Sequence, residues 1–537
     1  MTYQIKTSFN KAFEWVRSDN ISFIGYLIDN SFLVPTSSDL KNIFSGCKSL
    51  VDYELRIKEL NGVFSIIIAE RDFFLAASDS TRFFPLFYAE INHVFYLSDD
   101  IDYVQRQTGS MVFDEDGCLE FLSAAFTCGK RTVYKGVSQI RPAEILTIDN
   151  DVVHSGYFYR FSKTPSEIIQ EPHGILFKKT RKIIDGSFSK LFNHLKGRSI
   201  ALPLSGGYDS RLIGLKLKEH GFKDVTCFTF GRKTPEVEIS KKVAAVLGYK
   251  WHFVEYTDKL IKDYHRSELF HDYYQYASRG TSMFFLQEYP AVKHLVEENI
   301  LTEDHIVLPG HSGDLIRGAM LYNNFPESCK RDELSNILLS KKFIHASLTK
   351  RNKSLLVINL KEQIDELFSD PDMLPYSVLE DWEMKERTSK YIFNSSHVFT
   401  FFGMQTFFPL WNKDIVDLFR SLPFRERLNG KLYNDVLKNS YFGPNYLIVK
   451  NDNQPDLRDI KINKFKKKLR RILPYYIREK LLEKNDWPFY KPMTRFLLDD
   501  LGKNRLILKS NAQSYLYRIL NWYLFKTKER ISVREKG

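Results

Sequence analysis

One apolar run that breaks on two glycines and resumes as a helix constrains this chain more than any other feature. Arg198-Ser-Ile-Ala-Leu-Pro-Leu204 reads as a buried strand, and Leu212, Leu215 and Leu217 among charges read as a helix. The turn between them is Ser205-Gly206-Gly207-Tyr208-Asp209-Ser210. Two glycines let a backbone come close to an anion, and a helix start adds orphan N–H groups and its positive dipole end. The stretch Leu204, Ser205, Gly206, Gly207, Asp209, Ser210 is therefore read as a cradle for a phosphate or pyrophosphate, with Asp209 as a hard oxygen ligand for Mg²⁺. It is not a Walker A loop, because no Gly-Lys-Ser/Thr follows, nor a dinucleotide fingerprint, because G-x-G-x-x-G is absent here.

The surrounding sequence repeats the same grammar. The spacing of Ile175, Leu176, Ile183, Ile184, Phe188 and Leu191 predicts a helix over His173–Leu195 ahead of the glycine turn. Val225–Phe230 is the next predicted strand. Thr234-Pro235-Glu236 then reads as a helix start with a hydroxyl N-cap, and Gly248 ends that helix after Leu247. Trp251–Val254 and His305–Pro309 follow as strands, the latter leading into Gly310-His311-Ser312-Gly313-Asp314. Strands separated by helices imply a parallel sheet covered on both faces, with ligand at the carboxyl ends of the strands. The first 160 residues differ. Ile21–Ile28, Gly62–Ala69, Phe73–Ala77, Leu86–Tyr88 and Val94–Leu97 are short apolar runs divided by charged turns, the pattern of a layered, mostly antiparallel β domain.

At 537 residues with 43% hydrophobic and 15% aromatic content, the chain has material for two cores and is not disordered. No stretch reaches bilayer-spanning length, and the start Met1-Thr-Tyr-Gln-Ile-Lys does not open a signal peptide. Five scattered cysteines without C-x-x-C pairs support neither a disulfide framework nor a zinc site, so a cytoplasmic location is expected. The net charge of +12 owes much to Lys461–Arg471, a run that reads as a solvated helix face, and no nucleic-acid module accompanies it.

Ser205–Ser210 resembles the SGGxDS signature of the PP-loop ATP pyrophosphatases, and Gly310–Asp314 is similar to the GxGxDE block of the asparagine synthetase family. Gln405–Phe419, Ser421-Leu-Pro423 and Gly430-Lys-Leu-Tyr433 continue that resemblance to about residue 455. In the first part, Asn61-Gly-Val-Phe-Ser, Ser78-Asp79, Pro85–Tyr88, Leu97-Ser98 and Thr132–Pro142 resemble the class II glutamine amidotransferase domain. The resemblance implies an α+β N-terminal Ntn-type αββα sandwich over 1–160. An α/β PP-loop domain (adenine nucleotide α-hydrolase-like) with a parallel sheet and a helical C-terminal part follows over 161–455, and a basic helical extension covers 456–537. It also implies that Asp209 and Asp314 hold Mg²⁺ over ATP, that Gly310 adjoins the nucleotide, and that Phe230 and Gly231 lie beside adenine or ribose.

The implied reaction joins a carboxylate to ammonia or an amine through an acyl adenylate, releasing AMP and pyrophosphate. His311 stands where relatives carry Glu or Tyr near the adenylate, as a base for the attacking amine or as a hydrogen-bonding group, with Gln405 at the position of the usual partner glutamate. Lys450 falls where relatives use a lysine on adenylate and pyrophosphate. Leu315 and Phe407 replace a conventional Glu and Arg, which points away from free aspartate as substrate. The nucleophilic cysteine expected after Met1 is replaced by Thr2, and the glutamine-binding Asn-Gly-Glu turn is not recognisable. The N-terminal half is thus expected to lack glutaminase activity. The substrate is left among a sugar-linked carboxylate of surface-polysaccharide synthesis, aspartate, and a carboxyl group closed into a ring. A nucleotide-binding pseudoenzyme or scaffold is the alternative of another class, and a homodimer is among the assemblies allowed.

Overall fold

The computed structural model describes residues 2–8, 10–28, 33–109, 112–321, 325–448, 486–501 and 514–534. Its N-terminal half contains ten strands: β1 (Thr2–Lys6), β2 (Val16–Ser18), β3 (Ile21–Leu27), β4 (Gly62–Ala69), β5 (Phe73–Ser78), β6 (Phe87–Ile91), β7 (Val94–Ser98), β8 (Ser138–Gln139), β9 (Glu144–Asp149) and β10 (Val152–Tyr157). They form a six-stranded sheet, β10-β9-β5-β4-β3-β2, and a four-stranded sheet, β1-β7-β6-β8. All pairings are antiparallel except β1 with β7. β4 and β5 are apolar on both faces. Ile67, Phe74 and Ala76 meet Leu86, Phe95 and Leu97 of the other sheet, while Ile66, Ile68 and Leu75 cluster with Leu40, Tyr53 and Ile57 from the helices Ser37–Ile43 and Leu50–Glu59. On the four-stranded side, Phe87 and Ala89 pack with Ile101, Val104 and Phe121 of the helices Ile101–Gln107 and Glu115–Ala124. Thr2 lies exposed on the edge strand, its N–H donating to the carbonyl of His93 at 3.3 Å.

The helix His173–Leu195 leads into a second, all-parallel sheet of β11 (Ile200–Pro203), β12 (Val225–Gly231), β13 (Lys250–Glu255) and β14 (Ile306–Val307), ordered β13-β12-β11-β14. The helix Pro235–Leu247 returns from β12 to β13 and ends on Gly248 in the left-handed conformation, φ 79°. Two expectations need correction. The strand read at His305–Pro309 is only two residues long, because beyond Val307 the chain bends toward the Gly310 turn and Pro309 has no N–H for a ladder. Thr234 starts its helix, but its hydroxyl makes no capping bond.

The halves share a core. Phe13, Tyr26, Phe83 and Phe84 of the first half pack with Phe407 and Phe408 of the second, and the Phe408 N–H donates to Tyr26 Oη at 3.0 Å. Two helices near the C-terminus also pack with the preceding elements. Tyr490, Met493 and Leu497 of the helix Tyr490–Leu501, with Tyr517, Leu520 and Trp522 of the helix Tyr515–Arg534, are buried in one cluster with Phe121, Tyr273 and Val307. The Lys461–Arg471 run and Lys450 lie outside the described residues. No helix among the described residues is long and apolar enough to cross a membrane.

Candidate active site

The glycine turn follows β11 and feeds the helix Tyr208–Glu219, with Gly207 as its N-cap. Its conformation is fixed from several directions. The Leu204 carbonyl accepts from Thr229 Oγ1 at 2.7 Å, and the Gly206 carbonyl accepts from Arg211 Nη2 at 2.8 Å. Arg211 is fully buried and also donates from Nη1 to the Leu447 carbonyl at 2.8 Å. Within the turn, the Ser205 N–H donates to Ser210 Oγ (3.2 Å) and the Gly207 N–H to Ser205 Oγ (3.1 Å). These hydroxyl oxygens take two of the N–H groups that the sequence assigned to an anion, in the manner a phosphate oxygen would.

The turn after β14 closes on the first one. Gly313 lies so close to Asp209 that a β-carbon there would coincide with the Asp209 carboxylate, and one at Gly310 would stand 3.0 Å from the Ser210 nitrogen. Asp209 Oδ1 accepts from the buried Tyr433 hydroxyl at 2.6 Å. Enclosure by protein pushes the Asp209 carboxyl up to about 6; the Tyr433 bond and Arg317 oppose this shift, and Asp314 adds to it. Asp314 itself is exposed and faces Arg317 at 2.5 Å. The pair offers the hard oxygen donors that a divalent cation takes. Mg²⁺ is held by one or two carboxylates and completed by phosphate oxygens and water, and no group of three or more His, Cys, Asp or Glu among the described residues could form a cage of protein ligands.

Ser312 stands at the second glycine position of the GxGxDE block and adopts φ 77°, a conformation that costs an L-residue about 1 kcal/mol or more. Ser312→Gly is expected to raise stability by roughly 1 kcal/mol, measured as the urea midpoint, with the carboxylate geometry retained.

His311 lines the same cavity, its Nε2 at 3.2 Å from Ser395 Oγ and its Nδ1 at 3.0 Å from Ser396 Oγ. Burial lowers its pKa to about 4 against the opposing pull of Asp314, so the ring is neutral at pH 7 and presents one donor and one acceptor. The orienting groups are therefore two serines and not Gln405. The Gln405 carbonyl accepts from the Val307 N–H at 2.8 Å, continuing the sheet edge, and Gln405 is not among the cavity-lining residues.

The Ser205–Ser210 turn, Gly310 and His311 border one cavity of about 300 Å³ at the carboxyl ends of β11 and β12, and Asp314 is not among its lining residues. Leu204, Ser205, Gly206, Gly207, Asp209, Ser210, Phe230 and Gly310 line it as expected by sequence, whereas Gly231 packs against Trp487 just outside. Sequence reasoning missed Gln287, Glu288, Phe399 and Trp487 on the walls. Glu288 immediately precedes the helix Tyr289–Glu297 and reads as an ordinary acid at a helix start. In the fold, one of its carboxyl oxygens is enclosed with no partner among the described residues, and burial pushes its carboxyl up to about 8.

The family model for asparagine synthase matches residues 195–494, more than half of the 537 residues and the whole of this site. The chain belongs to the asparagine synthase family. It is also similar to the microcin J25-processing protein McjC of Escherichia coli, with 27% identity over 182 residues, 34% of this chain and 33% of McjC. The matched segment thus spans about a third of that relative's length. Among solved structures, an NH3-dependent NAD synthetase from Campylobacter jejuni overlaps 36% of this asparagine synthase-family chain and 95% of its own, at 16% identity and a TM-score of 0.20. A glutamine phosphoribosylpyrophosphate amidotransferase from B. subtilis overlaps 57% and 58%, at 11% identity and a TM-score of 0.18. At TM-scores this low, neither likeness supports an inference about this chain.

Proposed function

We propose that the protein is an ATP-dependent, AMP-forming amide ligase that activates a substrate carboxylate as an acyl adenylate and passes the acyl group to ammonia or an amine. The observation that carries this reading is the meeting of the Ser205–Ser210 turn with Gly310 and His311 around one cavity, with Asp209 packed against Gly313. In the first step a carboxylate oxygen attacks the α-phosphorus and the bond to pyrophosphate breaks. In the second, the amine nitrogen attacks the acyl carbon, AMP leaves with the bonding pair, and the amine gives up a proton. Asp209 and Asp314 would hold Mg²⁺, which neutralises charge on the departing pyrophosphate. The turn backbone supports the phosphates, and Tyr433 orients the Asp209 carboxylate. A neutral His311 is a weak proton acceptor, so its low pKa favours hydrogen bonding to the adenylate over a role as resting base. Lys450 belongs to the same proposal by resemblance alone, and Gln405 retains only its place at the sheet edge.

Thr2, exposed and tied into an edge strand, supports a ligase without a glutaminase of its own; an Ntn-type sandwich in the N-terminal half, by resemblance, and a cytoplasmic location, from the scattered cysteines, belong to the same proposal. Within this reading a sugar-linked carboxylate is the first substrate class. A second is a peptide carboxyl closed into a ring, supported by the likeness to a microcin-processing protein. The test is ATP–pyrophosphate exchange with and without Mg²⁺ across aspartate, nucleotide-linked uronic acids and carboxylated peptides. Exchange with one member that stops when EDTA removes the metal is the expected result. Product mass then divides the classes, because loss of water without added amine means cyclisation. ATP binding with no exchange for any member would favour the pseudoenzyme.

A further inference from the structure

Among the described residues, the cavity walls contain Asp209, Glu236, Glu288 and His311 but no lysine or arginine. On these walls, recognition of a nucleotide base falls to uncharged contacts. One side chain is placed for it. Trp487 is 43% exposed, while its neighbours Asp486, Phe489 and Tyr490 are buried. Its ring lines the cavity and lies 6.1 Å from that of Phe230 at an interplanar angle of 39°.

Trp487 is held by a latch, not by chance. Its carbonyl accepts from the Arg232 N–H at 2.9 Å. Gly231 makes that approach feasible: it sits at φ 110°, and a β-carbon there would come 2.7 Å from the Trp487 oxygen. Three residues on, the Tyr490 hydroxyl donates to Gln287 Oε1 at 2.9 Å on the cavity wall, and the Arg232 guanidinium lies 4.7 Å over the Phe489 ring. Asp486 accepts from the N–H groups of Tyr490 (2.8 Å) and Lys491 (2.7 Å), fixing the turn that presents the indole.

We propose that Trp487 is the stacking platform for the nucleobase, so that a segment near the C-terminus completes the nucleotide site. This rests on the ATP reading above. An exposed indole beside Phe230, in a cavity whose walls also include Phe228, Val237 and Phe399, suits a flat heteroaromatic ring. Nucleotide affinity then depends on the latch between Arg232, Gln287 and the Asp486–Tyr490 turn.

The test uses the full chain with Mg²⁺ and calorimetric titration of ATP and, separately, inorganic triphosphate. Trp487→Ala is expected to weaken ATP roughly tenfold and leave triphosphate unchanged, whereas Trp487→Phe keeps most of the affinity. Tyr490→Phe removes one latch bond and is expected to show the same selective loss at a smaller size. Unaltered ATP binding in Trp487→Ala would overturn the inference, as would equal losses of ATP and triphosphate. A wild-type protein that binds neither ligand would instead overturn the nucleotide reading, and this inference with it.

Discussion

Gly313→Ala is expected to reduce ATP–pyrophosphate exchange by more than about a hundredfold, as much as Asp209→Asn, in a protein that still folds. The reason is steric and local. A β-carbon on Gly313 would overlap the Asp209 carboxylate carbon and both its oxygens. Asp209 cannot yield by a small rotation, because its Oδ1 is bound to Tyr433, itself only 2% exposed. The carboxylate must leave this partner, and the phenol left without it costs about 1–3 kcal/mol. Gly310→Ala provides the graded control. Its β-carbon would meet the Ser210 nitrogen at 3.0 Å and Asp209 Cβ at 3.2 Å, contacts that a small shift of the turn relieves. A smaller loss of exchange is expected there. Wild-type exchange in Gly313→Ala would show that the Asp209 carboxylate is not required where the fold places it.

The contrast between these two glycines shows what sequence could and could not reveal. The strand, turn and helix over Ile200–Glu219 are local, and their signals lie in neighbouring residues. The helices His173–Leu195 and Pro235–Leu247 were equally legible, since a 3.6-residue apolar period and a terminal glycine are enough to mark them. The packing of the site was not. Tyr433 meets Asp209 across 224 residues, and Ser395 meets His311 across 84. Such pairings leave no periodic trace in one sequence, so the resemblance points to Gln405 beside His311 where the fold places Ser395 and Ser396. Buried charge pairs are equally silent in one sequence: within Glu383–Ile392, Lys385 and Lys390 are buried against Asp381 (2.5 Å) and Glu386 (2.6 Å). Trp487 lies beyond the readable motifs, and long-range bonds through Arg232 and Gln287 bring its segment to the cavity.

The second large effect is expected from Arg427, which no motif singled out. Its side chain is completely buried, faces the equally buried Glu380 at 2.6 Å, and lies 4.9 Å over the Phe161 ring. Its other donors join two elements: Nη1 to the Phe419 carbonyl (2.6 Å) and Nη2 to the Leu315 carbonyl (2.8 Å). Leu315 follows Asp314 in the turn Gly313–Ile316, so the guanidinium anchors the turn that carries the second carboxylate. Arg427→Ala is expected to destabilise the protein by about 3–5 kcal/mol, because it strands Glu380 as an uncompensated buried charge. The loss is read as a fall in the urea midpoint. A double variant, Arg427→Met with Glu380→Leu, separates stability from function. Replacing a buried ion pair with apolar residues of similar volume is often neutral, so much of the lost stability is expected to return. Exchange activity is expected to stay low, because methionine cannot donate to the Leu315 carbonyl and the Asp314 turn loses its tether. Activity that recovers along with stability would show that Arg427 serves the core alone.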